Sequence, residues 1–311
     1  IVFGDWSSDV CSSDLDLIEL GFWDELDLQG RKMLMQMQKI ARRGPLVHWL
    51  YGDAFGASGF VWVEGERVVG NLSVRQAYPA WSQGILIGNV VVHPDYRGRS
   101  IGRALMEAAL SWARSRNCRW VGLEVRADNA AARALYEHLG FSAAGRTIHL
   151  LHESGRPWPA LPEPRSDWRC SRPRDKLLWA ALAEAIYDPS QARIMELRPA
   201  LYAFGGWDRA IDLFFRGEHE QSWCYGSHEL RMGALVRTDL YHRFITWELL
   251  VHPQMGEEGA REAVVRALHA RYAGKGWPVI TAVHERSDVL PALISLGFRQ
   301  HRALVQMLMD L

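Results

Sequence analysis

Two stretches of this 311-residue chain carry side chains whose types and spacing could do chemistry. In the first, Arg97-Gly98-Arg99-Ser100-Ile101-Gly102-Arg103 joins a β-branched run to an amphipathic segment. A helix starting near Ile101 turns unpaired amide hydrogens and about half a positive charge toward this turn, and small residues let a phosphate approach the backbone. That is the pattern of an anion site, although a Gly-rich strand-to-helix turn is also an ordinary structural joint. In the second stretch Glu124 interrupts the apolar run from Trp120 to Val125, where a buried charge without a partner is costly. Such a carboxylate either handles protons or pairs with an arginine. Tyr136 follows at a helical apolar position, where a tyrosine serves either as an acid or as core.

The elements that must position these residues read as a mixed α/β pattern. Asp16 to about Arg43 has helical apolar spacing, with Gly30 and Gly44 as breaks. Phe60 to Val63 and Val68 to Val74 alternate around Glu64-Gly65-Glu66, as a hairpin does. Ile85 to Val92 predicts a buried strand closed by Pro94, which has no amide hydrogen for a ladder. Ile101, Leu105, Ala108 and Trp112 predict one face of a helix. Trp120 to Val125 predicts a further buried strand. Asn129 stands at a cap position before Ala132, Leu135 and Leu139, and Gly140 is the stop.

Val90 to Leu105, reading Val-Val-Val-His-Pro-Asp-Tyr-Arg-Gly-Arg-Ser-Ile-Gly-Arg-Ala-Leu, resembles motif A of the GNAT N-acetyltransferase superfamily, whose pattern is Gln/Arg-x-x-Gly-x-Gly/Ala. Arg97 and Gly102 match it, and Ser100 stands where that family usually has glycine. If the position needs a positive φ, serine costs on the order of 1 kcal/mol there. Leu123 to Phe141 is similar to the corresponding stretch of GNAT enzymes that acetylate the N-terminal amine of ribosomal proteins, sharing Asn129, Ala132, Tyr136 and the ending Leu139-Gly140-Phe141.

The resemblance implies acetyl-CoA as cosubstrate and no metal. It implies that backbone groups of Val90, Val91 and Val92 meet the pantetheine arm. Arg97, Gly98, Arg99, Ser100, Ile101, Gly102 and Arg103 would surround the pyrophosphate, with Asn129 and Ala132 completing the cofactor-binding set. Tyr136 is then the general acid, and Glu124 the base, directly or through water. The strand positions where many members carry a base hold Gly88 and Asn89, which take no proton. His93 belongs to a turn sequence common in the family and reads as structural.

The expected function is an acetyl-CoA-dependent N-acetyltransferase acting on a primary amine, either a small molecule or a protein N-terminus. A non-catalytic CoA-binding or protein-interaction module derived from such an enzyme is the alternative.

The second half repeats the first. Val92-His93-Pro94 recurs as Val251-His252-Pro253, and Leu139-Gly140-Phe141 as Leu296-Gly297-Phe298. Alignment through Leu-Gly-Phe places Thr281, Arg286 and Leu293 at the Glu124, Asn129 and Tyr136 positions. The turn Gly256-Glu257-Glu258-Gly259-Ala260-Arg261 sets two acids where phosphate would sit. Glu248 is a possible base with no cofactor site beside it.

The expected architecture is α/β with a mixed sheet: two tandem GNAT-like domains, each with a mostly antiparallel sheet splayed at the CoA cleft and flanked by helices. Residues 16–153 are the GNAT domain, its first strand expected to be missing, 154–173 a Pro/Gly-rich linker, and 174–311 a degenerate copy. Residues 1–15 resemble translated sequencing-adapter read-through and are expected to pack poorly.

Composition is that of a globular chain, 48% hydrophobic and 23% charged with zero formal net charge, which points to neither nucleic acid nor a membrane as partner. The 4 cysteines have no zinc-site spacing, and the plain expectation is a bacterial protein of a reducing cytoplasm. Acceptor and oligomeric state are not written in any of these patterns.

Overall fold

The computed structural model describes residues 2–5, 16–21, 31, 35, 38, 58–77, 83–158, 160, 162–197, 199–202, 217–270 and 276–311. The chain forms two compact units that do not follow chain order. The first comprises Ile1–Glu124, Ala130–Ser142 and Met307–Leu311, and the second Val125–Asn129 and Ala143–Gln306.

In the first unit, strands β1 (Val2–Asp5), β2 (Ser58–Glu64), β3 (Arg67–Gln76), β4 (Gly84–Val92) and β5 (Trp120–Arg126, up to Glu124) are neighbours in that order. All pairs are antiparallel except β4 with β5, which run parallel because helix α1 (Ile101–Ser115) crosses between them. The hairpin of β2 and β3 turns at Gly65, where φ is 62°. Helix α1 buries Ile101, Leu105, Ala109 and Ala113, a stripe one residue away from the expected Ala108 and Trp112. Trp112 is partly exposed, with the Arg116 guanidinium 5.3 Å from its ring centroid. Close seating of α1 depends on Gly70 of β3, since a Cβ there would lie 2.9 Å from Ile101 Cγ2 and 3.1 Å from Leu105 Cδ1. Helix α2 (Ala130–His138) follows β5.

The expectation that residues 1–15 pack poorly is corrected at Val2–Asp5, which pair with Val61 to Ser58. An open strand edge binds any extended segment through main-chain hydrogen bonds, whatever its side chains. Residues 6–15 and most of the expected helix over 16–43 lie outside the described residues; 16–21 are helical, with Leu17 and Ile18 buried.

The second unit is built around β6 (Ser142–His152), from Ala143 onward, with β7 (Arg169–Cys170), β8 (Glu218–Tyr225), β9 (Met232–Asp239), β10 (Phe244–Val251), β11 (Val279–His284) and β12 (Arg299–Asp310, up to Gln306). Their order is β12-β6-β11-β10-β9-β8-β7. Helices α3 (Lys176–Ile186) and α4 (Pro189–Ile194) precede β8, α5 (Gly256–Leu268) joins β10 to β11, and α6 (Val289–Ser295) precedes β12. Trp179, Leu182, Tyr202, Cys224, Leu235 and Leu250 form one core, and Trp247, Ile245, Val264, Val279, Leu293 and Phe298 belong to another. The Pro/Gly-rich segment packs against this unit: Gly155 N–H and Ser154 Oγ both donate to Gly276 O, and Trp158 stacks on His152 at 3.8 Å.

The repeated tripeptides adopt the same local structures. Gly140 and Gly297 have φ of 100° and 92°, and the amides of Phe141 and Phe298 return to Tyr136 O and Leu293 O, each closing its helix with the six-to-one bond of a Schellman motif. The architecture is a mixed α/β fold with a large mixed sheet and flanking helices.

Candidate functional site

The parallel ladder of β4 and β5 runs from Gly84 with Trp120 to Ile87 with Leu123 and goes no further. Past that point β4 carries one extra residue. Asn71 of β3 pairs with Val91 and Ser73 with Gly88, so two steps on β3 span three on β4, and Asn89 takes a φ of 52°. Asparagine tolerates the left-handed region, and its Nδ2 donates to Ser73 Oγ at 3.1 Å. Fully buried Asn71 donates from Nδ2 to Asn89 O at 3.4 Å. The bulge turns β4 away from β5 and opens a gap at Gly88 and Glu124; a Cβ on Gly88 would touch nothing within 4 Å. A polar residue in the middle of the apolar β3 is the signal by which Asn71 was legible and was missed.

Val90 and Val92 are partly buried and Val91 is buried, all three past the last β4–β5 pair. After them His93 caps a 3-10 turn (Pro94–Tyr96) and the chain reaches the expected anion turn. Arg97, Gly98, Arg99 and Ser100 are exposed, whereas Ile101 is buried as the first residue of α1. Gly98 has φ of 77° and Ser100 φ of 59°, so the condition under which serine is strained is met, and the Ser100 side chain makes no compensating cap bond. Ser100 O accepts from Ala104 N–H, the first bond of α1. Among the described residues, the amides of Gly98 to Arg103 have no carbonyl partner outside the helix.

The arginine side chains do different things. Arg97 Nε donates to Val92 O at 3.2 Å and pins the turn to the end of β4. The Arg99 guanidinium sits 4.9 Å from the Tyr96 ring centroid, and Arg103 pairs with Glu107 at 2.9 Å. A Cβ on Gly102 would meet Val92 and Leu135 only at ordinary contact distance, 3.7 and 3.9 Å.

Glu124 is exposed, which overturns the premise that an apolar strand buries it: the ladder to β4 has already ended where its side chain emerges. Tyr136 is 5% exposed and is the buried residue of α2, with its ring 6.0 Å from that of Phe141. Burial pushes its phenol up to about 12. Asn129 directly precedes α2 and is exposed, and Ala132 is partly buried in its first turn. Among the described residues no cluster of His, Cys, Asp and Glu is arranged to hold a metal.

In the second unit the turn before α5 starts at Gly256, with Glu257 and Glu258 in the first helical turn. Thr281 and Leu293, at the Glu124 and Tyr136 positions, are both buried. Glu248 is joined by Tyr202, whose hydroxyl donates to its Oε1 at 3.0 Å, and is flanked by the Arg237–Glu220 pair at 3.0 Å. Neither Tyr202 nor Arg237 was legible as part of this group.

Residues 31–141 match the model of the acetyltransferase (GNAT) family. Among curated relatives, the [ribosomal protein bS18]-alanine N-acetyltransferase of Escherichia coli strain K12 is 50% identical over 56 residues, 18% of this chain and 38% of that protein. The streptothricin acetyltransferase of Streptomyces lavendulae is 41% identical over 69 residues, 22% of this chain and 36% of that protein. The chain thus spans little more than a third of either relative. Among solved structures, a tandem GNAT protein from the clavulanic acid biosynthesis pathway superposes with a TM-score of 0.60 at 17% identity, covering 99% of this chain and 97% of that one. At that identity the likeness establishes the fold. Among the described residues no helix is long and apolar enough to cross a membrane.

Proposed function

We propose that the first unit transfers an acetyl group from acetyl-CoA to a primary amine. The observation that carries this reading is the exposed turn from Arg97 to Arg103, whose amides have no carbonyl partner outside the helix, at the mouth of the gap where β4 and β5 part. The residues fit the cosubstrate. Gly98 places no side chain over the turn, the amides up to Arg103 and the N-terminus of α1 suit a diphosphate, and the β5-facing backbone of Val90 to Val92 has no ladder partner. When bound, acetyl-CoA supplies an acyl thioester.

The attacking amine must be neutral. An α-amine titrates near pH 8, so modest assistance suffices, and in this reading Glu124, exposed on β5, takes the proton directly or through water. Tyr136 holds its proton tightly. A thiol titrates near 8.5, so full transfer from a phenol at about 12 to a thiolate is uphill by ~5 kcal/mol. Its role is therefore to donate a hydrogen bond to the developing thiolate, which then collects a proton from solvent or from the acylated amine.

The acceptor is a small-molecule amine or a protein N-terminus. The two curated relatives act on one of each, and the match to both is confined to a short stretch. The test is release of free thiol from acetyl-CoA across a panel of amines that includes an Ala-initiated peptide. Turnover that falls by about 100-fold in Tyr136→Phe supports the reading. Acetyl-CoA binding without thiol release from any amine would overturn it in favour of a non-catalytic CoA-binding module.

A further inference from the structure

Unfavourable features converge where β3 lies beside the bulge of β4. Asn89 is held at φ 52°, a left-handed angle that strains a side chain, asparagine less than most. The bulge leaves a β4 residue without a partner in the β3 ladder. Asn71 is fully buried within the run Val69 to Val74, and among the described residues its Oδ1 has no hydrogen-bond partner. A leucine in its place would bury no orphan acceptor.

What Asn71 does make is a bond to Asn89. Its Nδ2 donates to Asn89 O at 3.4 Å, a long bond, and Ser73, two residues along and on the same face of β3, accepts from Asn89 Nδ2 at 3.1 Å. The main chain and the side chain of Asn89 are thus grasped from two neighbouring positions of one strand.

The second unit is built without this grasp. Aligned through Val-His-Pro, Leu250 and Glu248 stand at the Val91 and Asn89 positions. The β9 partner of Leu250 is Gly233, whereas the β3 partner of Val91 is Asn71. Gly233 has no side chain to reach across, and β9 and β10 pair without a shift from Phe244 with Asp239 to Val251 with Met232. Glu248 has no positive φ. The parallel ladder then runs one residue further: Trp247, at the Gly88 position, still pairs with Thr281, at the Glu124 position.

We propose that Asn71 and Ser73 are positioning residues for an acyl-CoA. By grasping Asn89 they hold the end of β4 in its bulged form, so that it does not zip onto β5 and the main-chain groups of Val90 to Val92 stay open to the pantetheine arm. The inference rests on the reading that the first unit binds acetyl-CoA, and not on whether the acetyl group is transferred.

The experiment is isothermal titration calorimetry on the full chain with acetyl-CoA and, separately, with ADP, which carries a diphosphate but no pantetheine arm. Asn71→Leu should raise the Kd of acetyl-CoA about tenfold or more and leave that of ADP within about twofold. Its urea midpoint should not fall, because the lost bond is long and the orphan acceptor is removed with it. Ser73→Ala should shift acetyl-CoA a few-fold in the same direction. Should Asn71→Leu fail to fold, Ser73→Ala and Asn89→Val provide the decision, since valine disfavours the left-handed angle and cannot bond Ser73. Unchanged acetyl-CoA binding in folded Asn71→Leu overturns the proposal, and so does an equal weakening of both ligands, which is what damage to the fold alone would cause. A parent chain that binds no acetyl-CoA overturns both this inference and the proposed function. One that binds it, releases no thiol and still shows the split in Asn71→Leu supports the positioning role while overturning acetyl transfer.

Discussion

His93 and His252 do the same work in the two units: each accepts, through Nδ1 at 3.3 Å, the amide hydrogen two residues ahead, from Asp95 and Gln254 respectively. Their backbones agree as well, with φ and ψ of −52° and 135° at His93 and −59° and 135° at His252. A side chain that caps a turn is worth about 1 kcal/mol. His93→Ala and His252→Ala should each lose about that much in urea unfolding. Thiol release by His93→Ala should stay within about threefold of the parent; a loss of catalytic size would give His93 a role in proton transfer that its cap bond does not explain.

Ser100 is held at φ 59° with no cap bond from its side chain. Left-handed backbone costs a non-glycine residue about 1–2 kcal/mol, partly offset by the greater freedom of glycine in the unfolded chain. Ser100→Gly should therefore raise stability by up to about 1 kcal/mol in denaturant titration. Ser100→Val should lower it and weaken acetyl-CoA binding, since a β-branched residue is disfavoured at this backbone angle.

Because burial pushes the Tyr136 phenol up to about 12, it remains protonated well beyond the point where an ordinary tyrosine, near 10, ionises. The sign is that of a raised pKa: the proton is present at all lower pH and is lost only above about 12. The rate of thiol release should show no alkaline decline from this group below about pH 11. A decline centred near 10 that disappears in Tyr136→Phe would show the phenol to be solvated during turnover.

Asp175 is buried and bonds Arg169 at 2.6 and 3.0 Å and Arg172 N–H at 2.8 Å. Burial alone would raise its carboxyl, but the Arg169 hydrogen bonds and the Arg172 amide together outweigh it and hold the group below its usual value. A depressed folded pKa contributes stability that is complete above the unfolded value near 4 and is lost as pH falls through the folded one. Asp175→Asn should cost about 3 kcal/mol at pH 7 and progressively less under acid, followed by chemical denaturation across pH 2 to 7.

Most of the elements were legible because each is specified locally. Alternation places β2 and β3 around Gly65, a β-branched run ending before Pro94 is β4, and helical spacing closed by Leu-Gly-Phe is α2. The exposed turn from Arg97 to Arg103 was legible for the same reason, since small residues and a helix start within a few positions of one another are a local pattern. The environment of Glu124 was not. Whether a strand residue is covered depends on how far its neighbour stays paired, and here the bulge at Asn89 ends the ladder one residue too soon.

The amino-acid order by itself thus determined the recurrence of local motifs and the small-residue turn from Arg97 to Arg103, because caps, breaks and periodicity act over a few residues. Only the tertiary structure decided that Glu124 is exposed, that β6 from Ala143 onward belongs with the second unit, and that Tyr202, Arg237 and Glu220 gather around Glu248. These relations join residues far apart in the chain, and they are set by strand pairing and burial, which no short window of sequence contains.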